Sequence, residues 1–154
     1  MTDNKLHPLL TIDNQLCFAI YSTSLAYTKV YKPILEPLNL TYPQYLVMLV
    51  LWEEDNITVK AIGEKLFLDS GTLTPLLKRL ETTGYLTRQR DKTDERKVLI
   101  KLTSEGAAIS TKAMGIAKSI GCITEQNLEE VTRLVNELTD LRNSLSKSIA
   151  DRHD

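Results

Sequence analysis

Two cysteines, Cys17 and Cys122, are the side chains of this 154-residue sequence best suited to covalent chemistry. Cys17 lies in Asn14-Gln-Leu-Cys-Phe18, within about one turn of the start of a helix that Asp13 can cap. There the helix dipole favours the thiolate, which is the nucleophilic form. A thiolate attacks a peroxide and becomes sulfenic acid, which condenses reversibly with a second thiol. The other reading of Cys17 is a small core hydrophobe. Cys122 follows Gly121, in a stretch free to move ahead of the last helix. It is either a resolving thiol or a bystander. Six tyrosines against two phenylalanines make a polar-tipped aromatic set. Tyr31 and Tyr42 stand among segments broken by Pro33 and Pro37, placed to meet another helix. A phenol there can donate a hydrogen bond to a thiolate. Tyr21, one turn beyond Cys17, is a secondary candidate, while Tyr27, Tyr45 and Tyr85 read as packing.

The remaining chemistry is sparse. His7 and His153 lie one near each terminus, and no Cys or His cluster has metal-ligand spacing, so neither metal nor cofactor is expected. Two cysteines do not make a disulfide framework. Met1 to Leu10 carries Asp3, Lys5 and His7 and lacks a signal peptide's apolar stretch. No run of 18 apolar residues exists to span a membrane. The expectation is a cytoplasmic protein without a membrane partner.

Charge is distributed unevenly. Between Lys78 and Lys101 eight basic residues (Lys78, Arg79, Arg88, Arg90, Lys92, Arg96, Lys97, Lys101) face four acidic ones, a local +4 in a chain whose total is −1. Such a stripe is the footprint of a phosphate-contacting element, although a solvated charged face gives the same pattern.

These residues need elements to hold them. The pattern predicts a helix from Asp13 towards Tyr31, ended by Pro33. Thr41-Tyr-Pro-Gln44 is a capping box with proline in the first turn, opening a helix buried nearly all round to Trp52. Thr58 opens a short helix to Leu66. The next helix runs from about Ser70 to Thr83 and ends at Gly84, with Leu73, Leu76, Leu77 and Leu80 on one stripe. Pro75 predicts that its regular bonding begins only beyond that ring. Two strands follow, Tyr85–Arg90 and Arg96–Leu102, joined by a polar loop in which Asp94 can pair with Arg96. Thr103 caps a helix towards Ser119, loosened by Gly115 and Gly121. A last helix from Thr124 carries an apolar stripe from Leu128 to Ile149 that is wide enough to need a partner.

The fold expected is mainly α with a small β-hairpin, a winged helix-turn-helix that dimerises through N- and C-terminal helices. It forms one domain, 1–154, with dimerisation parts at about 10–40 and 104–154 and a DNA-binding part at about 41–103. The second helix of the pair would enter the major groove. Ser70, Gly71, Thr72, Thr74 and Pro75 permit close approach there, and Lys78 and Arg79 reach phosphates or base edges. Arg88, Arg90, Lys92 and Arg96 would follow the flanking backbone, with Asp94 orienting the wing and the hairpin tip in the minor groove.

Gly71-Thr-Leu-Thr-Pro-Leu-Leu-Lys-Arg-Leu-Glu81, Gly84, Arg90…Asp94-Glu-Arg96 and Leu102-Thr103 resemble the MarR family of bacterial transcription regulators. Asn14-Gln-Leu-Cys-Phe18, Tyr31-Lys-Pro33, Thr41-Tyr-Pro-Gln-Tyr45, Leu51-Trp-Glu53 and Leu68-Asp-Ser-Gly-Thr-Leu-Thr-Pro75 resemble its organic hydroperoxide resistance (OhrR) branch. The resemblance covers about residues 13–104 in register and the last two helices more loosely. It implies a homodimeric repressor on double-stranded operator DNA, with organic hydroperoxides as inducers. It further implies that Cys17 is hydrogen-bonded by the partner's counterparts of Tyr31 and Tyr42, and that Cys122 bridges to Cys17 across the dimer. A regulator released by a small aromatic ligand, with Cys17 structural, is the competing reading. A thiol peroxidase is disfavoured because no His or Arg lies near Cys17 in sequence.

Overall fold

The computed structural model describes residues 7–152. Asp3, Lys5 and His153 lie outside the described residues. Contacts divide the chain into two units, one ending at Ala113 and the other beginning at Met114.

In the first unit, two short 3-10 turns, Pro8–Leu10 and Ile12–Asn14, precede α1 (Leu16–Leu35). Asp13 does not cap α1. It belongs to the second 3-10 turn, and Gln15 takes the N-cap position without a side-chain bond. The Gln15 amide donates instead to the carbonyls of Leu9 and Thr11 at 2.6 and 3.2 Å. Pro33 does not end the helix, which continues to Leu35. In a last turn the ring removes only the bond to Lys29, a small loss beside the burial of Leu35.

Next come α2 (Tyr42–Glu53), β1 (Ile57–Thr58), α3 (Val59–Leu66) and α4 (Ser70–Thr83). Thr41 and Gln44 form the anticipated capping box, the Thr41 N–H donating to Gln44 Oε1 at 2.9 Å. Tyr45, Val47, Met48, Val50 and Leu51 of α2 are buried, as are Ile62 of α3 and Leu73, Leu77 and Leu80 of α4. Thr58 caps α3 and Asp69 caps α4, accepting from the Thr72 N–H at 2.7 Å. α4 is regular from Ser70, not only beyond Pro75. With Asp69 fixing the start, the proline costs a single bond, the one to the Gly71 carbonyl. A Cβ on Gly63 would sit 2.7 Å from the Leu68 carbonyl, so glycine lets α3 close on the turn into α4. Gly84 ends α4 at φ 87°.

β2 (Leu86–Arg90) and β3 (Val98–Leu102) form the hairpin, paired Leu86↔Leu102, Arg88↔Ile100 and Arg90↔Val98. The sheet has three strands, not two, in the order β1-β3-β2, because Ile57 pairs with Ile100. Asp55 secures this addition by accepting from the Asn56 and Leu102 N–H groups at 2.7 and 2.8 Å. Ile100 and Leu86 extend the buried layer beneath the helices.

Thr103 caps α5 (Ser104–Ala108), and α6 (Ser110–Thr124) follows after a break at Ile109. The single helix expected here is interrupted where the Ser110 hydroxyl takes the Ala107 carbonyl at 2.7 Å. Beyond Ala113, α6 stays helical through Gly115, Gly121 and Cys122, so Cys122 is helical rather than in a loose connection. α7 (Leu128–Ala150) starts later than Thr124, at a capping box of Asn127 with Glu130. Thr124 does not cap it; its hydroxyl donates back to the Ile120 carbonyl. Leu128, Val135, Leu138, Leu145 and Ile149 of α7 are exposed. Among the described residues no helix is long and apolar enough to cross a membrane.

Candidate functional site

α3 and α4, joined by Phe67–Asp69, make the helix pair, and β2–β3 the wing. The buried leucines of α4 turn its other face outward, leaving Ser70, Gly71, Thr72, Pro75, Lys78 and Arg79 exposed and Thr74 half-buried. The wing is ordered by its own side chains. Asp91 Oδ1 accepts from the Thr93 hydroxyl and N–H at 2.6 and 2.7 Å. The anticipated Asp94–Arg96 pair is present, Nε donating to Oδ1 at 3.1 Å. Arg96 accordingly holds the Asp94 carboxyl below its ordinary range, and the Arg96 side chain is still 91% exposed. Arg90 donates to the Glu95 carbonyl at 3.3 Å, and Lys92 is exposed. Arg88 differs from these: its Nε donates to Glu81 Oε2 at 2.8 Å, tying the wing to α4.

The thiols occupy exposed helix surface. Cys17 is the second residue of α1, at an N-terminus whose first amides have no side-chain cap. Around it Leu16, Phe18, Ile20, Tyr21 and Leu25 are also exposed. Cys122 is exposed on α6.

Tyr31 and Tyr42 do come together, stacked with ring centroids 4.6 Å apart. Tyr45 lies 5.6 Å from Tyr31 and Tyr27 lies 6.3 Å from it. Burial, reinforced by Tyr45, Tyr42 and Tyr27, pushes the Tyr31 phenol up to about 12. Burial raises Tyr42 and Tyr45 as well. Tyr31 and Tyr42 therefore stay protonated donors across neutral pH. Tyr45 is 4% exposed and Tyr85 donates to the Leu38 carbonyl at 2.7 Å, both structural as anticipated. Cys17 is fourteen residues from Tyr31 along one helix, roughly 21 Å at 1.5 Å per residue. The phenols cannot reach the thiol of their own chain. Tyr21, one turn from Cys17, is exposed beside it.

The sequence reading missed Glu81, although an acid between two basic runs was visible. It also missed a cleft of about 580 Å³ bounded by Lys32, Tyr42, Gln44, Arg79 and Thr82. No group of three His, Cys, Asp or Glu that could hold a metal occurs among the described residues.

Residues 29–113 match the family model of the transcriptional regulator SarA/Rot. The chain is 49% identical over 136 residues to the organic hydroperoxide resistance transcriptional regulator of Bacillus subtilis, covering 88% of this chain and 92% of that one. It also superposes on AbfR of Staphylococcus epidermidis. The overoxidized AbfR bound to DNA is 36% identical, with a TM-score of 0.74 over 87% of this chain and 94% of that one. The disulfide-formed AbfR is 37% identical, with a TM-score of 0.62 over 84% and 91%.

Proposed function

The chain belongs to the MarR family of winged helix-turn-helix transcription regulators, beside the organic hydroperoxide resistance (OhrR) proteins, and we propose that it is a repressor switched by oxidation of Cys17. It is a regulator, not an enzyme. On this reading residues 1–154 form one functional domain, paired as a homodimer through about 10–40 and 104–154. Residues of about 41–103 grip double-stranded operator DNA. Ser70, Gly71, Thr72, Thr74, Pro75, Lys78 and Arg79 meet the major groove, and Arg90, Lys92 and Arg96 the flanking backbone.

The observation that carries the sensing half is the separation along α1. An exposed thiol sits at one end of the helix and a stacked phenol pair, too far to serve it, at the other. A second copy running antiparallel along α1 would bring its Tyr31 and Tyr42 to Cys17. The apolar residues around the thiol favour alkyl over inorganic peroxide, and the cytoplasm is where such a regulator meets its DNA.

The thiolate attacks the peroxide's distal oxygen; the O–O bond breaks, the sulfur becomes sulfenic acid and the alcohol leaves. The Cys122 thiol of the other copy then displaces water, forming an intersubunit disulfide. The bridge removes the phenol contacts and turns the two recognition helices away from half-sites about one DNA turn apart. A 100-fold loss of affinity requires only about 2.7 kcal/mol of difference between the states. A mobility shift with cumene hydroperoxide tests this. Wild type is released and Cys17→Ser is not; a released Cys17→Ser excludes the thiol. On non-reducing gels Cys122→Ser gives no covalent dimer; a peroxide-dependent dimer band in that variant assigns the bridge elsewhere.

The cleft flanked by Lys32 and Arg79 favours a second reading, release by a small aromatic acid with Cys17 structural. Salicylate-type acids that release Cys17→Ser from DNA would establish it.

A further inference from the structure

Arg88 stands in the basic stripe, but its surroundings are unlike those of the other cations. Glu81 lies in the last turn of α4, three residues before Gly84 turns the chain into the wing. One of its carboxylate oxygens accepts from Arg88 Nε at 2.8 Å, and the other accepts from the Arg88 backbone N–H at 3.2 Å. β2 is an edge strand, so this N–H points away from β3 and needs an acceptor. A single carboxylate thus holds both the main chain and the side chain of one wing residue. The bond to Arg88 keeps Glu81 below its ordinary acidity range. Arg90 lies on the same face of β2, two residues further towards the loop that carries Lys92 and Arg96.

We propose that Glu81 is a positioning residue, a strut that fixes the root of the wing to the end of the recognition helix. Arg88 acts as the other half of that strut and not as a phosphate contact. Arg90, Lys92 and Arg96 then reach the backbone at a fixed angle to α4 instead of searching for it. The inference rests on the DNA-binding reading above. It makes a prediction opposite in sign to simple charge: deleting an acid beside DNA should strengthen binding, whereas deleting this one weakens it.

The probe is the duplex that the wild-type protein enriches from a randomised pool. Glu81→Gln should bind it about tenfold more weakly, with the salt slope smaller by about one to two, since each lost phosphate contact removes roughly 0.9. Arg88→Lys should weaken binding in the same direction, because lysine keeps the charge and the backbone N–H bond but loses the fixed Nε donor to Glu81. Amide exchange at residue 88 should quicken in Glu81→Gln while α4 stays protected. Glu81→Gln binding as tightly as wild type or tighter overturns the strut, as does Arg88→Lys with wild-type affinity. If wild type enriches no duplex, the DNA reading falls by itself. The exchange measurement still decides the strut, and unchanged protection at residue 88 overturns it.

Discussion

The recognition half and the sensing half of this chain are finished to different degrees. From Thr41 to Thr103 the polar groups that matter are satisfied within the chain: Asp69 caps α4, Asp94 holds Arg96, Asp91 folds the wing loop and Asp55 secures the third strand. Along α1 and α7 the reverse holds. Large apolar side chains are exposed, among them Leu128 at 83%, and the N-terminus of α1 has no side-chain cap. One half is complete as a single chain, and the other presents surfaces that only another surface can complete. On the proposed reading, DNA recognition is built into one chain, whereas sensing belongs to a pair.

The contrast can be broken by experiment. The largest effect is expected on α7, where Leu138→Arg should abolish dimerisation in sedimentation and weaken DNA binding roughly 100-fold by leaving a single half-site. A dimer that survives would place the seam elsewhere. In the complete half, Gly63→Ala forces a methyl against the Leu68 carbonyl and should cost about 1–3 kcal/mol in urea unfolding without altering the peroxide rate of Cys17. Arg96→Ala should lower DNA affinity about tenfold and the salt slope by about one, leaving the melting temperature unchanged. The smallest effect concerns the phenols. A folded-state pKa raised from 10.0 to about 12 means that unfolded Tyr31 releases its proton first, so stability is intact below pH 10 and falls as pH rises towards 12. Tyr31→Phe should flatten that fall in alkaline denaturation; an unaltered curve would mean the phenol is not held as the structure has it.

What could be read from sequence follows the same division. Thr41 with Gln44, Thr58, Gly84 and the leucines of α4 act over one or two turns, so spacing alone located α2 to α4. β1 escaped because two residues carry no period and pair with a strand far along the chain. The start of α1 was misplaced because Gln15 caps nothing and Asp13 looked the better residue. Asn127 outcompeted Thr124 through a reciprocal bond with Glu130 that the spacing did display. Glu81–Arg88 depends on the angle at which β2 leaves α4, which no pattern encodes. The thiol was visible as a reactive residue type, but the phenol partners proposed for it were legible only through family resemblance, because a linear sequence cannot assign them to a second copy.

Mixed dimers test that point most directly. Cys17→Ser is paired with a Tyr31→Phe, Tyr42→Phe chain, and the rate of sulfenic acid formation with cumene hydroperoxide is measured. If the phenols act across the dimer, the single Cys17 of each heterodimer faces intact Tyr31 and Tyr42 on the Cys17→Ser chain and reacts at the wild-type rate. If that Cys17 reacts as slowly as in the Tyr31→Phe, Tyr42→Phe homodimer, the phenols serve their own chain and the account of a shared sensor is wrong.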